Sequence, residues 1–141
     1  MSETVIAVKK YIQFELVSPE RILASEEAAM VVVPGGDGDF GVLAGHTPLV
    51  STIRPGVVSV YAPDGAIKKI FVSGGFADVD GKICSVLAEE AVNVNEIDRA
   101  KAEQNLSDLR NELAGAGDDA VKKDNLALSI AIAEAKVAAA A

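Results

Sequence analysis

Few residues in this chain have the types and spacing that chemistry requires. The charged glycine-rich loop runs from Gly35 to Asp39. A phosphate-binding loop would end in Gly-Lys-Ser/Thr and lead into a helix, whereas this loop ends in an acid and leads into a strand pattern. The carboxylates of Asp37 and Asp39 are too few for a calcium loop, which needs roughly six to eight oxygen ligands. The loop is therefore predicted to be a tight turn between strands.

His46 is the single histidine and the side chain that normally titrates closest to neutral pH. It could activate Ser51 or Ser73 as the nucleophile of a Ser-His-Asp site, but the Gly-x-Ser-x-Gly elbow of such hydrolases is missing. Its neighbours, Gly45, Thr47 and Pro48, indicate a turn, in which an imidazole commonly bonds to the backbone.

The remaining candidates do not form a catalytic or metal site. Cys84 lies in an apolar strand pattern and is predicted to be an inert buried thiol. One Cys and one His exclude a disulfide framework and a closed zinc site, which needs about four ligands. The pairs Glu26-Glu27 and Glu89-Glu90 would point to opposite faces of a strand, so neither can share a proton as a catalytic dyad.

Composition and charge exclude further classes. The 141 residues include 13 Lys+Arg against 21 Asp+Glu, giving a net charge of −8. Such an acidic chain lacks the electrostatic footprint of a nucleic-acid-binding protein and would be repelled by anionic lipid. It has neither a signal-peptide pattern nor the roughly 20 consecutive apolar residues of a membrane span. We expect a soluble, intracellular protein.

The composition changes near residue 95. Residues 1–95 hold 16 of the 18 Val, 10 of the 12 Gly, all five Pro and every aromatic residue, whereas residues 96–141 hold 13 Ala. The first composition is typical of short strands joined by tight turns, and the second of helix. We predict a β-domain over residues 1–94 and a helical hairpin over residues 95–141.

The β-domain contains many short strand patterns. Ile12, Phe14 and Leu16 alternate with other residues, and turn sequences at 63–65 and 80–81 predict hairpins. Further patterns lie at residues 4–8, 30–33, 41–43, 50–53, 57–62, 67–73, 76–79 and 83–88. The uninterrupted apolar run Met30 to Val33 predicts a strand buried on both faces. Together these patterns predict an antiparallel β-sandwich or flattened barrel.

The second part has the periodicity of two helices. We predict Asn95 as the N-cap of the first helix and Asp118 as that of the second. The predicted contact faces comprise Ala102, Leu106, Leu109 and Leu113, and then Leu126, Ile130, Ala133 and Val137. Leu128, Ile132 and Ala135 form a neighbouring apolar face, so the apolar surface of the second helix is too broad for one partner helix to cover. We therefore expect this helix to pack on the sandwich or on another protein as well.

Ordered motifs run along the β-domain. They read FELVSPE at 14–20, VPGGDGDFGVLAGHTPL at 33–49, IRPGVV at 53–58, FVSGGF at 71–76 and VLAEEA at 86–91. These motifs closely resemble the epsilon subunits of rotary F-type ATP synthases, and the helical part matches in length and placement. The resemblance implies a sandwich of about ten short strands followed by a two-helix hairpin.

The resemblance also implies a mechanical role. Such subunits sit at the foot of the central stalk, grip the gamma subunit, touch the polar loops of the c-ring and rotate with both. They make or break no bonds themselves, but they couple proton flow to ATP synthesis in the alpha/beta head. The chain is then expected to be a peripheral, non-catalytic component on the cytoplasmic face of the energy-transducing membrane, without a cofactor, lipid insertion, nucleic acid or self-association.

Contact residues are carried over by position. The turn formed by Asp37, Gly38, Asp39, Phe40 and Gly41 corresponds to the loop that faces the c-ring. Phe40 is expected to be a packing contact, with folding back into the core as the alternative. His46 and Thr47 correspond to a segment of the rotor-facing surface.

Two functions of the hairpin are less well matched. ATP-sensing members carry Ile/Leu-Asp-x-x-Arg-Ala, and when Arg99 is aligned with its Arg, Glu96 replaces the Asp and Asn95 the apolar residue. We therefore do not expect ATP to bind. Contact with the alpha/beta head would use a basic last helix, but the second helix offers only Lys122, Lys123 and Lys136. Regulation of ATP hydrolysis is expected to be weak at most.

Two other classes stay open at this stage. The chain could be a small-ligand-binding sandwich with a mouth near His46 and the hairpin as its lid, or a hydrolase that uses His46. With four Phe, two Tyr and no Trp, a ligand mouth would be poorly equipped for sugars or aromatic compounds.

Overall fold

The computed structural model describes residues 11–140, which form ten strands and two α-helices. The strands are β1 Ile12–Val17, β2 Ile22–Ala28, β3 Met30–Gly35, β4 Gly38–Val42, β5 Leu49–Ile53, β6 Gly56–Tyr61, β7 Ile67–Val72, β8 Gly75–Val79, β9 Ile83–Ala88 and β10 Ala91–Asn93. The helices are α1 Arg99–Ala114 and α2 Ala120–Ala139. The predicted sandwich of about ten strands followed by a helical hairpin is confirmed, while the pattern at residues 4–8 lies outside the described part.

The strands form two layers around one core. One layer has the order β4-β3-β6-β7-β10 and the other β5-β8-β9-β1-β2, and the pair Gly35–Ile53 joins them between β3 and β5. Side chains from both layers, such as Phe14, Val60 and Val86, are buried in a single apolar cluster. Every strand pair is antiparallel except β1–β9, which is parallel. We call the first layer the covered layer and the second the open layer.

Strand β3 is buried differently from the prediction. Its side chains alternate, with Val31 and Val33 in the core and Met30 and Val32 only half-buried. Only one face of each layer points into a sandwich, so an uninterrupted apolar run need not be buried on both sides. The outward side of Val32 borders a cleft that the end of α2 also lines, at Ala138 and Ala139.

Both predicted helix starts were wrong. A 3₁₀ turn at Val94–Glu96 separates the sheet from α1, and the N-cap is Asp98, whose carboxylate accepts from the Lys101 amide at 3.2 Å. Likewise Asp119, not Asp118, caps α2. An N-cap residue must have an extended backbone, which Asn95 cannot have inside the 3₁₀ turn. The N-cap therefore moves three residues along the chain, from Asn95 to Asp98. The proposed boundary at 94–95 falls within this turn.

The hairpin packs on the outer face of the covered layer. Phe71 is fully buried although its neighbours Ile70 and Val72, and not Phe71 itself, belong to the sandwich core. Its side chain therefore points outward, in register with Val57 of β6 and Val92 of β10, where the helices cover it. The expectation that the Leu128, Ile132 and Ala135 face of α2 packs on a second surface is met in part, since Ile132 and Ala135 are half-buried whereas Leu128 is 67% exposed.

Candidate docking surface

The β3–β4 turn is held tightly against the end of β5. The Gly36 amide donates to the Thr52 carbonyl at 2.9 Å, and a Cβ at Gly36 would lie 2.5 Å from the Thr52 hydroxyl oxygen. The Phe40 ring lies over Gly35, where an added Cβ would be 2.9 Å from ring carbons. Phe40 is half-buried and packs against the core, which favours folding back into the core over a packing contact with a partner. Asp37 at the turn is exposed.

Arg54, in the loop between β5 and β6, ties three chain segments together at this turn. Its Nη1 donates to the Gly35 carbonyl at 2.6 Å, and its Nη2 forms an ion pair with the Asp39 carboxylate on β4. Its backbone amide also donates to the Pro34 carbonyl at 3.0 Å. The guanidinium therefore fixes the position of Asp39 relative to β3.

His46 and Thr47 lie at the opposite end of β5 from Asp37 and Asp39. Their loop packs on the β8–β9 turn, where the Gly45 amide donates to the Gly81 carbonyl at 2.8 Å. The Nδ1 of His46 donates to the Thr47 carbonyl at 2.7 Å. The structure thus does not gather the predicted contact residues into one patch, since β5 separates the two groups.

A row of apolar side chains crosses the outer face of the open layer. Phe76 on β8, Leu87 on β9, Val17 on β1 and Ile22 on β2 are successive cross-strand partners. Their neighbours Ala77, Val86 and Leu16 belong to the core and Leu23, next to Ile22, packs against it, so these four point outward. Ile22 is 63% exposed, Phe76 55% and Leu87 46%. We call these four residues the outer apolar row.

The outer apolar row and the β3–β4 turn form one continuous surface. Thr52, which contacts Gly36, is the direct cross-strand partner of Phe76. The adjoining row of the same face contains Asp78, Ser85 and Glu15, with the exposed Val50 at its β5 end. Aligned exposed apolar residues next to polar ones are typical of a protein–protein interface.

No sequence motif predicted the outer apolar row. The available signal was the alternation within each strand, which puts Phe76 and Leu87 on the side opposite the buried Ala77 and Val86. Their alignment depends on the register between β1 and β9, which is set by residues about 70 positions apart and is not encoded locally.

Glu96 and Arg99 do not converge on a nucleotide-sized site. Arg99 pairs with Glu103 at 3.0 Å on the surface of α1, and Glu96 lies in the 3₁₀ turn before it. Read two residues later, the chain has Ile97-Asp98-Arg99-Ala100-Lys101-Ala102, which retains the Ile, Asp and Ala of the pattern with Lys in place of Arg. Of these, Asp98 already accepts from the α1 backbone as its N-cap.

The cleft beside this segment is small. Asp98, Lys101 and Lys136 line it together with Val92 on β10, and its volume is about 290 Å³. Ligand pockets usually measure roughly 300–1,000 Å³, so this cleft lies at the small end of that range.

In the part of the chain that the structure describes, neither alternative function has a matching site. The Ser51 hydroxyl donates to the Thr52 carbonyl and the Ser73 hydroxyl accepts from the Glu90 amide, while His46 is bonded to Thr47. The hairpin packs on β6 and lies beside Val92 on β10, away from the His46 loop, so it is not a lid over a mouth there. A cleft of about 570 Å³ lies elsewhere, beside Glu26 and Lys68.

The described residues contain little that could hold a metal or cross a bilayer. Within residues 11–140, no three or more His, Cys, Asp and Glu side chains converge into a metal-binding cluster. Across the same range, neither helix combines the length and apolar character of a transmembrane span. Cys84 is buried in the core, which raises the pKa of its thiol to about 12 and suppresses the nucleophilic thiolate.

Comparisons with known proteins agree on one family. Residues 11–94 match the family described as "ATP synthase, Delta/Epsilon chain, beta-sandwich domain". The ATP synthase epsilon chain of Rhodospirillum rubrum is 47% identical over 127 residues, covering 90% of this chain and 94% of that one. That of Paramagnetospirillum magneticum is 44% identical over 130 residues, covering 92% and 97%.

Solved structures agree with the sequence relatives. A chain in the structure of the Euglena gracilis mitochondrial ATP synthase, OSCP/F1/c-ring, has a TM-score of 0.84 and 26% identity, over 98% of this chain and 86% of that one. A chain of the Tetrahymena thermophila mitochondrial ATP synthase central stalk/c-ring has a TM-score of 0.60 at 10% identity, over 94% and 98%, and supports the fold alone.

Proposed function

The chain belongs to the ATP synthase delta/epsilon family as an epsilon chain, and from that premise we propose that it is a non-catalytic rotor subunit. It binds the gamma subunit through the outer apolar row and turns the β3–β4 turn towards the polar loops of the c-ring. It passes c-ring rotation to the catalytic head without bond chemistry of its own. The complex holds it peripherally at the cytoplasmic face of the energy-transducing membrane, as a single copy without lipid insertion.

The observation that carries this proposal is the continuity between the β3–β4 turn and the outer apolar row. A stalk component must touch two neighbours at once, one along its side and one at its end. The row lies on the side of the open layer, and Thr52 links it to the turn at the end of that layer. His46 and Thr47, at the other end of β5, would meet a different part of the rotor.

The sandwich suits the transmission of torque. Its core is a single apolar cluster with fully buried Val, Ile and Phe side chains from both layers. Close-packed interiors resist compression, so a force applied at the turn is delivered across the layers rather than absorbed. The hairpin lies against the outer face of the covered layer and leaves the outer apolar row accessible.

The hairpin has a limited regulatory role in this proposal. It is folded down on the sandwich, and its second helix carries three lysines that offer weak electrostatic capture by an acidic head. Deleting residues 96–141 should leave ATP hydrolysis by the complex nearly unchanged, and a large rise would refute this role. Isothermal titration of the purified chain with ATP should give no binding heat.

The central experiment is reconstitution with epsilon-depleted ATP synthase. The double variant Phe76→Ala/Leu87→Ala should lower recovery with gamma and the c-ring by about tenfold, because a few side chains near the centre of an interface carry most of its binding energy. The matched control is Ile67→Ala/Leu128→Ala, which removes two similarly exposed apolar side chains from other surfaces. Equal recovery of the two double variants would exclude the outer apolar row as the interface.

A further inference from the structure

Lys68 and Lys69 are neighbours on β7 with different surroundings. Side chains alternate along a strand and Ile70 belongs to the core, so Lys68 points into the gap between the layers and Lys69 points outward, like Phe71. The Lys68 ammonium lies 2.8 Å from the Glu26 carboxylate on β2 of the open layer. No carboxylate within residues 11–140 lies at ion-pair distance from Lys69. Lys69 is therefore the lysine whose charge lies on the hairpin side of the sheet.

The end of α2 and Lys69 line the same cleft. This cleft has a volume of about 350 Å³, and Ala138 and Ala139 of α2 border it together with Ser59 and Lys69 of the sheet. Ser59 on β6 is the direct cross-strand partner of Lys69. The two alanines have no long side chain that could fill the cleft, so the space beside the lysine is left to the backbone at the end of the helix.

The carboxyl end of α2 carries negative partial charge. The last four carbonyls of a helix have no partner within it, and the helix dipole is equivalent to about half an elementary negative charge at that end. The Ala140 amide closes the final turn by donating to the Lys136 and Val137 carbonyls. A cation beside the last turn stabilises a helix end of this kind.

The charges nearest the last turns of α2, other than Lys69, already have partners. They form ion pairs with one another: Lys136 with Glu90, Glu134 with Arg110 and, within the cleft, Arg54 with Asp39. On its other side Lys69 borders the cleft of about 570 Å³, where Glu96 is the competing acid. Lys69 is therefore the cation that remains for the end of α2.

We propose that Lys69 is a positioning residue for the carboxyl end of α2, and that its ammonium holds the last turns of the hairpin on the covered layer. Lys69 is exposed, so salt screens this attraction. The apolar contact at Phe71 is not screened in this way. Rising ionic strength therefore frees the last turns of α2 first, while Phe71 keeps the body of the hairpin in place.

The test is hydrogen exchange of the α2 backbone amides in the full chain, at low and high salt. At low salt, Lys69→Gln should speed exchange of residues 136–140 about threefold relative to wild type, because the helix end loses its cation. Lys69→Glu should speed it about tenfold, because repulsion replaces attraction. Both ratios should fall towards one at high salt. Lys69→Arg keeps the charge and should exchange like wild type.

Two further variants separate this role from its alternatives. Lys68→Gln is the matched control, because it removes a lysine from the same strand but breaks only the pair with Glu26. It should leave exchange of residues 136–140 at the wild-type rate. Glu96→Gln should also leave that rate unchanged, whereas it would reproduce the effect of Lys69→Gln if Lys69 acted by pairing with Glu96. Thermal unfolding of each variant checks that the sandwich is intact.

Three results would overturn the inference. They are a wild-type exchange rate in Lys69→Glu, an acceleration in Lys69→Glu that is the same at low and high salt, and an acceleration in Lys68→Gln or Glu96→Gln equal to that in Lys69→Gln. None of these measurements needs a partner subunit. The inference therefore fails or holds separately from the proposed function, which depends on binding to the rotor.

Discussion

The Lys136 ammonium on α2 lies 3.2 Å from the Glu90 carboxylate in the turn between β9 and β10. This pair joins the last turns of the hairpin to the sandwich, close to the point where Phe71 is covered. Its two side chains are 30% and 50% exposed, so water and salt screen the attraction. The apolar contact at Phe71 and the ion pair therefore hold the hairpin by different means and with different strengths.

Removing the ion pair should change stability little. We expect Lys136→Gln and Glu90→Gln each to lower the free energy of unfolding by about 0.5 kcal/mol, as is usual for exposed pairs. The double variant should be no less stable than the less stable of the two single variants. Urea denaturation at low and high salt measures both effects, and a loss above about 2 kcal/mol would mean that the pair, not the apolar contact at Phe71, holds the hairpin.

Shortening Phe71 should have a much larger effect. Phe71→Ala removes a fully buried ring between β7 and the helices, and such changes cost about 3–5 kcal/mol. Hydrogen exchange of the α2 amides should accelerate, because the hairpin loses its main apolar contact. Phe76→Ala is the matched control: its ring is 55% exposed, so its free energy of unfolding should fall by no more than about 0.5 kcal/mol.

Cys84 should make stability fall in alkaline solution. Burial raises the pKa of its thiol from 9.0 to about 12, so the folded state keeps a proton that the unfolded state loses. The contribution of the thiol to the free energy of unfolding is complete below pH 9. It is lost towards pH 12 at up to about 1.4 kcal/mol per pH unit. The stability advantage of wild type over Cys84→Ala should shrink over that range, and an advantage independent of pH would contradict the assignment.

Asp80 should act in the opposite direction, in acid. Hydrogen bonds from the Lys82 and Ile83 amides in the β8–β9 turn hold the pKa of its carboxyl below 3.8. The resulting stabilisation is present above pH 3.8 and is lost as the pH falls through the lowered value. Asp80→Asn keeps an acceptor oxygen but cannot ionise, so its melting temperature should lie below that of wild type at neutral pH and converge with it in acid. A constant difference would rule out this linkage.

Local sequence signals predicted the elements better than their arrangement. The turns at 63–65 and 80–81 do join β6 to β7 and β8 to β9, because Pro, Asp and Gly favour turn backbone directly. The contact faces of the helices were also correct, with Leu106 and Leu126 buried. Strands β2 and β10 were missed: β2 carries Ser25, Glu26 and Glu27, and β10 has only three residues.

The candidate site shows the same division. The β3–β4 turn could be assigned from its motif, since its residues are contiguous. Its electrostatic setting could not, because Arg54 is 15 residues from Asp39 and only the folded sheet brings the two side chains together. The outer apolar row depends on pairings between strands that are distant in the chain, and alternation within a strand does not reveal its neighbour.

The parallel pairing of β1 with β9 imposes an order on biosynthesis. The antiparallel neighbour β2 follows β1 at once, but the opposite edge, from Gln13 to Val17, pairs with residues Ile83 to Leu87. A nascent polypeptide that has grown only as far as β8 cannot satisfy that edge, and the ring of Phe14 has no closed interior to enter. The ribosome must therefore deliver almost the entire sandwich before its first strand is enclosed, which is the behaviour expected of a fold with long-range contacts.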